Sequence, residues 1–163
     1  MRRRITLVCA LAATLTAPAV AQAQKLVYVV RHAERADDPA RNEQDPPLST
    51  AGERRAARLA VMLGDAGIRG IYVTQFQRTQ QTAGPIASKL KIKPDVMPAT
   101  ITALVADLKG RHANDVVLLV AHSSTMPGII RGFGGPAVDI DDADYDSLFV
   151  VVPSTGTASR IRF

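Results

Sequence analysis

Apolar and polar positions fall into blocks along the chain that predict strands and helices in alternation. Leu26-Val27-Tyr28-Val29-Val30 is a short apolar run, three of its five residues Val, and fits a buried parallel strand. It stops at Arg31-His32, which places a cation and an imidazole at a strand's carboxyl end, the edge where open α/β sheets bind ligands. The stretch from Ala33 to Pro47 is polar, with seven charged residues (Glu34, Arg35, Asp37, Asp38, Arg41, Glu43, Asp45) and three prolines. A loop of that length within a compact domain is usually functional or disordered, and its departure from the ligand edge favours function.

Thr50 and Glu53 stand at capping-box spacing and predict a helix start. Ala56, Leu59, Ala60 and Leu63 then recur at helical spacing, Arg54, Arg55 and Arg58 decorate a solvated face, and Gly64 and Gly67 close the helix. Ile71 to Thr74 reads as a short strand. The helix after it opens at Gln75 to Thr79 and carries Ala83, Ile86, Ala87 and Leu90 on one face, with Pro85 expected to distort it. Arg78 falls in its first turn, where a cation is unfavourable unless it serves an anion drawn to the same helix end.

Lys93 to Met97 is a further candidate strand. Ile101, Leu104, Val105 and Leu108 form one face of a third helix, ending in Lys109, Arg111 and a surface His112. Val116 to Val120 is the clearest buried strand, and Ala121-His122-Ser123 follows it. A short helix through Arg131 and the glycines Gly132, Gly134 and Gly135 come next. The acidic run Asp139, Asp141, Asp142, Asp144 and Asp146 lacks the Gly and terminal Glu of a calcium loop, so a solvated loop is expected. Leu148 to Val152 and Ala158 to Phe163 form a closing hairpin around Pro153 to Gly156. This order predicts an α/β fold, a three-layer α/β/α sandwich with a mainly parallel central sheet.

Charge alters this picture only at the start of the chain. Arg2, Arg3 and Arg4, the apolar run Ile5 to Leu15 and the small-x-small Ala21-Gln22-Ala23 read as a cleaved secretory signal covering 1–23. A single domain over 24–163, periplasmic or secreted and with no stable membrane anchor, is expected. Without the leader's three arginines the formal charge falls from +5 to +2. With 4% aromatic residues and no Trp, a nucleic-acid partner is not expected. The one cysteine, Cys9, lies in the leader, so the domain must hold together by its core.

Arg31-His32, Arg78 and His122 each follow a strand, and one sheet edge can gather two guanidiniums and two imidazoles. Guanidinium forks bind phosphoryl oxygens bidentately, and a neutral imidazole can attack phosphorus while its other nitrogen is held by a backbone acceptor. The fixed cations would stabilise the equatorial charge, so neither metal nor other cofactor is expected. His32 and His122 with Glu34 or an Asp could form a three-ligand zinc site, but two arginines beside a divalent cation oppose it.

Taken together these stretches resemble the histidine phosphatase superfamily, the phosphoglycerate-mutase-like fold. Val30-Arg31-His32-Ala33-Glu34 is similar to its Arg-His signature, and Leu48-Ser49-Thr50-Ala51-Gly52 to its Leu-Thr-x-x-Gly helix start. Arg78-Thr79-Gln80-Gln81-Thr82-Ala83 resembles its Arg-x-x-Gln-Thr-Ala segment, and Val120-Ala121-His122-Ser123 the His of its last core motif. The resemblance implies a phosphatase in which His32 becomes phosphohistidine and Arg31, Arg78 and His122 clamp the phosphoryl group. The chain's length is that of the compact phosphatases, not the larger mutases. It also departs from the pattern: the stretch Asp95 to Asp107, where many members carry a Glu general acid, contains no Glu. In compact members the acid comes from the loop after the nucleophile, which makes Glu43 the first choice, followed by Glu34 and Asp45, with Asp107 last. The expected substrate is a small phosphorylated compound, a sugar phosphate or lipopolysaccharide phosphate among them. The competing reading is a phosphate- or phosphosugar-binding protein on the same fold with weak or no catalysis.

Overall fold

The computed structural model describes residues 25–36 and 44–163. Residues 1–23, expected to be a secretory signal, and Glu43 therefore lie outside the described residues. Among the described residues six strands form one sheet: β1 (Leu26–Arg31), β2 (Ile68–Val73), β3 (Asp95–Val96), β4 (Val116–Ala121), β5 (Ser147–Val152) and β6 (Thr157–Arg162). Their order is β3-β2-β4-β1-β5-β6. The first four run parallel, while β5 and β6 are an antiparallel hairpin added at the β1 edge. Four helices, α1 (Thr50–Leu63), α2 (Gln77–Leu90), α3 (Ile101–Arg111) and α4 (Met126–Gly132), fill the connections.

The sheet is covered on both faces. Val27, Val29, Val117 and Leu119 point to a cluster with Leu104, Leu108, Met126 and Ile130 of α3 and α4. The alternate residues Val30, Leu118 and Val120 point the other way, to Leu59 and Leu63 of α1 and Ala83 and Ile86 of α2. Period-two side-chain alternation thus assigns each strand residue to one layer. Because β4 is central and buried at all six positions, it reads as an uninterrupted apolar run.

Several boundaries differ from the sequence reading for local reasons. The cap of α1 is Ser49, not Thr50: its side chain accepts from the Gly52 backbone N–H. β2 begins three residues earlier than expected, with Ile68 paired to Val116, and β3 shrinks to two residues. Pro85 lies within α2 without ending it, since the carbonyl that loses its partner belongs to Gln81, an exposed residue with access to water.

The most consequential contact joins α1 to the segment after β1. The Glu34 carbonyl accepts from the Ser49 backbone N–H at 2.9 Å and from the Ser49 hydroxyl at 3.2 Å. Gly52 sits so close that a Cβ there would stand 2.2 Å from that oxygen. Gly→Ala in a helix ordinarily stabilises by roughly 0.5–1 kcal/mol. Here the sign should reverse. Gly52→Ala is expected to cost about 1–3 kcal/mol in urea denaturation through overpacking against backbone; an equal or higher stability would contradict the close approach.

Candidate active site

The parallel register of β1 and β4 pairs Arg31 with Ala121, and the next step of the ladder is the His32 backbone N–H donating to the Ala121 carbonyl at 2.9 Å. His32 and His122 are therefore neighbours at the carboxyl ends of adjacent strands. Their ring centroids are 5.2 Å apart, edge to face. Together with Arg31 and Arg78 they line a cavity of about 440 Å³, joined by Arg35, Phe76, Ser123, Ser124, Asp142 and Tyr145. A larger hollow of about 590 Å³ at Lys91, Lys93 and Pro94 contains no imidazole or carboxylate in its lining, so size alone does not mark the site.

Each central side chain is oriented by a specific partner. His32 is 5% exposed, and its Nδ1 lies 2.8 Å from the Ala33 carbonyl. A carbonyl only accepts, so Nδ1 carries the proton and the lone pair of the neutral ring is on Nε2. Ala33 is fixed in turn by Thr82, whose Oγ1 accepts from the Ala33 N–H at 2.9 Å and donates to the Arg78 carbonyl at 2.7 Å. The Nε2 of His122 is 3.0 Å from Thr74 Oγ1, itself paired with Thr79. Gln81 accepts from the Leu48 N–H at 2.7 Å, tying α2 to the same loop.

Both guanidiniums lie on aromatic rings. Arg31 is 4.0 Å above Tyr145 and Arg78 is 4.2 Å above Phe76, contacts that hold a planar cation without neutralising it. Arg31 also donates to the Asp142 carbonyl and, at 3.3 Å, to the Tyr145 hydroxyl. Its buried Nε has no partner among the described residues. Arg78 pairs with Asp45 at 3.2 Å, and Asp45 Oδ2 also accepts from the Gln77 N–H at 3.0 Å. That carboxylate serves the start of α2, whose own cap position, Phe76, offers no side-chain acceptor.

Burial, reinforced by the charges of His122, Arg31 and Arg78, pushes His32 down from 6.5 to about 4, against the pull of the Ala33 carbonyl. Burial and the same two arginines push His122 down to about 4 as well. At neutral pH both rings are uncharged. The edge thus combines neutral imidazoles with fixed guanidinium charge, a set suited to a dianion.

Two of the sequence-derived acids stand elsewhere. Glu34 lies in the fork of Arg55, with Nε and Nη2 at 2.7–3.0 Å from its oxygens. Burial alone would raise its affinity for a proton, but the Arg55 hydrogen bonds outweigh that and hold the carboxyl below its usual range. It does not line the cavity. Arg55 is correspondingly half-buried and not part of a solvated face. Asp107 is held by Arg111 at 2.6 Å and receives Tyr72, and the Arg111 hydrogen bonds lower its pKa. His112 packs its ring on Tyr72, 5.8 Å between centroids, remote from the cavity lining.

The acidic run is an exposed loop at Asp139, Asp141 and Asp142, as expected from composition, but not throughout. Asp144 is buried under Arg160, Arg162 and Ser147, and Asp142 accepts from Ser123 at 2.6 Å. This anchoring carries Tyr145 and Asp142 into the wall of the site. Sequence reasoning missed them, along with Phe76, Thr74 and Arg35. Only Phe76 had a usable signal, being an aromatic residue between a strand end and a cation.

Comparison with known proteins bears on the family and the fold. The model of the histidine phosphatase superfamily (branch 1) matches residues 27–101. The PE-PGRS family protein PE_PGRS11 of Mycobacterium tuberculosis is 29% identical over 140 residues, an alignment covering 72% of this chain and 24% of that protein. The chain thus spans about a quarter of that relative's length. Among solved structures, the protein histidine phosphatase SixA complexed with tungstate superposes with a TM-score of 0.65 at 19% identity, covering 83% of this chain and 94% of that one. A phosphoglycerate mutase from Bacillus anthracis gives 0.59 at 13% identity, covering 88% and 94%. Both likenesses concern the fold. The matched segment runs through Arg31-His32 and Arg78, so residues 27–101 are similar to the histidine phosphatase superfamily, and the chain shares its fold with these solved structures.

Proposed function

We propose that this protein is a metal-independent phosphatase that hydrolyses small phosphomonoesters through a phosphohistidine on His32. One observation carries the reading. The Nδ1 proton of a buried, neutral His32 is committed to the Ala33 carbonyl, which leaves Nε2 as a bare nucleophile beside two guanidiniums. In the proposed reaction Nε2 attacks phosphorus and the bond to the leaving oxygen breaks. Water then attacks the phosphohistidine, giving inorganic phosphate and restoring the ring. Arg31 and Arg78 hold the phosphoryl oxygens and stabilise their charge in the transition state. A phosphoryl oxygen would also supply the acceptor that Arg31 Nε lacks among the described residues. With the Thr74 hydroxyl donating to Nε2 of His122, the Nδ1–H of that ring is free to donate to the same group.

The leaving oxygen needs a proton. We assign it to the loop after the nucleophile, from Asp45 or from Glu43. Asp45 reaches the site through its pairing with Arg78, a contact that a bound dianion would displace. The leader-like residues 1–23 support a periplasmic or secreted site of action.

Substitutions separate catalysis from binding. His32→Ala is expected to lower kcat at least ~1,000-fold while inorganic phosphate still binds. Arg78→Ala should weaken phosphate binding roughly 10–100-fold, the effect of a charged hydrogen bond. Asp45→Asn should slow alkyl phosphates more than an activated aryl phosphate. Unchanged turnover in His32→Ala would overturn the proposal; phosphate binding without turnover in the unaltered protein would favour a binding protein on this fold.

The depressed imidazoles set the acid limb. Lowering the pH protonates His32 and removes its nucleophile, and a pKa of about 4 means that loss comes late. After correction for the substrate's own ionisation near about 6, kcat/KM should hold level down to about pH 5 and fall as the pH approaches 4. A limb at the ordinary histidine value of 6.5 would show that burial does not keep the rings neutral.

A further inference from the structure

A second cavity, of about 390 Å³, opens directly beside the phosphate site. The two share His122 and Phe76, whose rings meet edge to face at 5.4 Å and form the threshold between them. The character of the lining changes across that threshold. On the phosphate side stand Arg31, Arg35, Arg78 and Asp142. On the other side the walls are Phe76, Met97, Pro98, Ile101, Leu104 and Ile129, with a few neutral polar residues such as Gln75 and Thr100. Among the described residues His122 is the one titratable group in that lining, and it is neutral at pH 7.

The groove has a structural origin. β3 is short, and the chain leaves it through Met97-Pro98-Ala99-Thr100 to reach α3, so this connection forms a rim over the end of β2 and the face of α4. Ile101 packs where Gly128 and Gly132 of α4 have no side chain; a Cβ at either would stand 2.5–2.8 Å from it. The two glycines let α3 and α4 approach and set the floor of the groove. Its volume falls within the range of small-molecule sites, and such sites are mostly apolar.

We propose that this groove receives the leaving group, and that the substrate is a phosphomonoester of an uncharged, apolar alcohol. The inference rests on the phosphatase reading of the adjoining pocket. A group bonded to a phosphoryl centre held by Arg31, Arg78 and His122 has the groove as its adjoining apolar space across the His122–Phe76 threshold. There it meets aliphatic and aromatic carbon. A sugar placed in the groove would surrender water at each hydroxyl for few replacement partners, and a second charged group would find no counter-ion among the described residues. An alkyl or aryl group loses nothing on entry and gains burial.

A homologous series of n-alkyl phosphates, ethyl to octyl, tests this at nearly constant leaving-group basicity. In the unaltered protein kcat/KM is expected to rise about two- to fourfold per methylene until the groove is filled. Glycerol 3-phosphate and ribose 5-phosphate should stay near the ethyl value. Ala99→Trp, at an exposed rim position, should flatten the alkyl series. Turnover that is independent of chain length, or sugar phosphates cleaved as well as hexyl phosphate, would overturn the groove assignment and leave the phosphatase reading standing. The converse is separable by binding: if no ester is cleaved, yet n-alkylphosphonates bind more tightly with each added methylene, the groove stands and the phosphatase reading fails.

Discussion

Two imidazoles must stay neutral within reach of two permanent cations, and the arrangement at the sheet edge follows from that constraint. Burial supplies it by making a charged ring costly, and the guanidiniums strengthen it. The cations need other restraints, because the groups that would neutralise them must remain displaceable. Tyr145 and Phe76 meet this need by offering π-faces in place of carboxylates. The backbone carbonyl of Asp142 holds Arg31 without adding a charge. Asp45 is the exception, and its half-exposed pairing with Arg78 is of the kind a dianion can displace.

Most of the remaining architecture keeps the segment after β1 in place. The strand register sets His32 beside His122. Thr82 holds Ala33, Ser49 holds Glu34, Gln81 holds Leu48, and Gly52 permits the approach. None of these residues lines the phosphate cavity. Together they fix the segment that carries the His32 imidazole. The Glu34–Arg55 pair belongs to this group, with Arg55 also donating to the Phe163 carbonyl. It links the segment after β1, α1 and Phe163.

This division explains what the sequence revealed. Strands and helices were legible because sheet faces and helix stripes impose regular apolar spacing, and Arg31, His32, Arg78 and His122 because they follow strands. Glu34 misled because two residues of separation from His32 says nothing about side-chain direction, and Arg55 lies 21 positions away. Tyr145 was hidden in an acidic run. Asp144 of that run is buried because β6 brings Arg160 and Arg162 over it, a pairing set by the hairpin and invisible to composition. The Ser49 cap was missed because Thr50 offered a better-matched motif one residue later. The choice between them lay with the Glu34 carbonyl, which tertiary structure alone supplies.

The central claim is that His32 itself takes the phosphoryl group. The most direct measurement is to mix the protein with a phosphate-labelled activated ester, quench within milliseconds and map the bound label. The expected result is an acid-labile, base-stable phosphoenzyme at His32, with no label retained by His32→Ala. Full turnover without any such label, or label retained in His32→Ala, would contradict it.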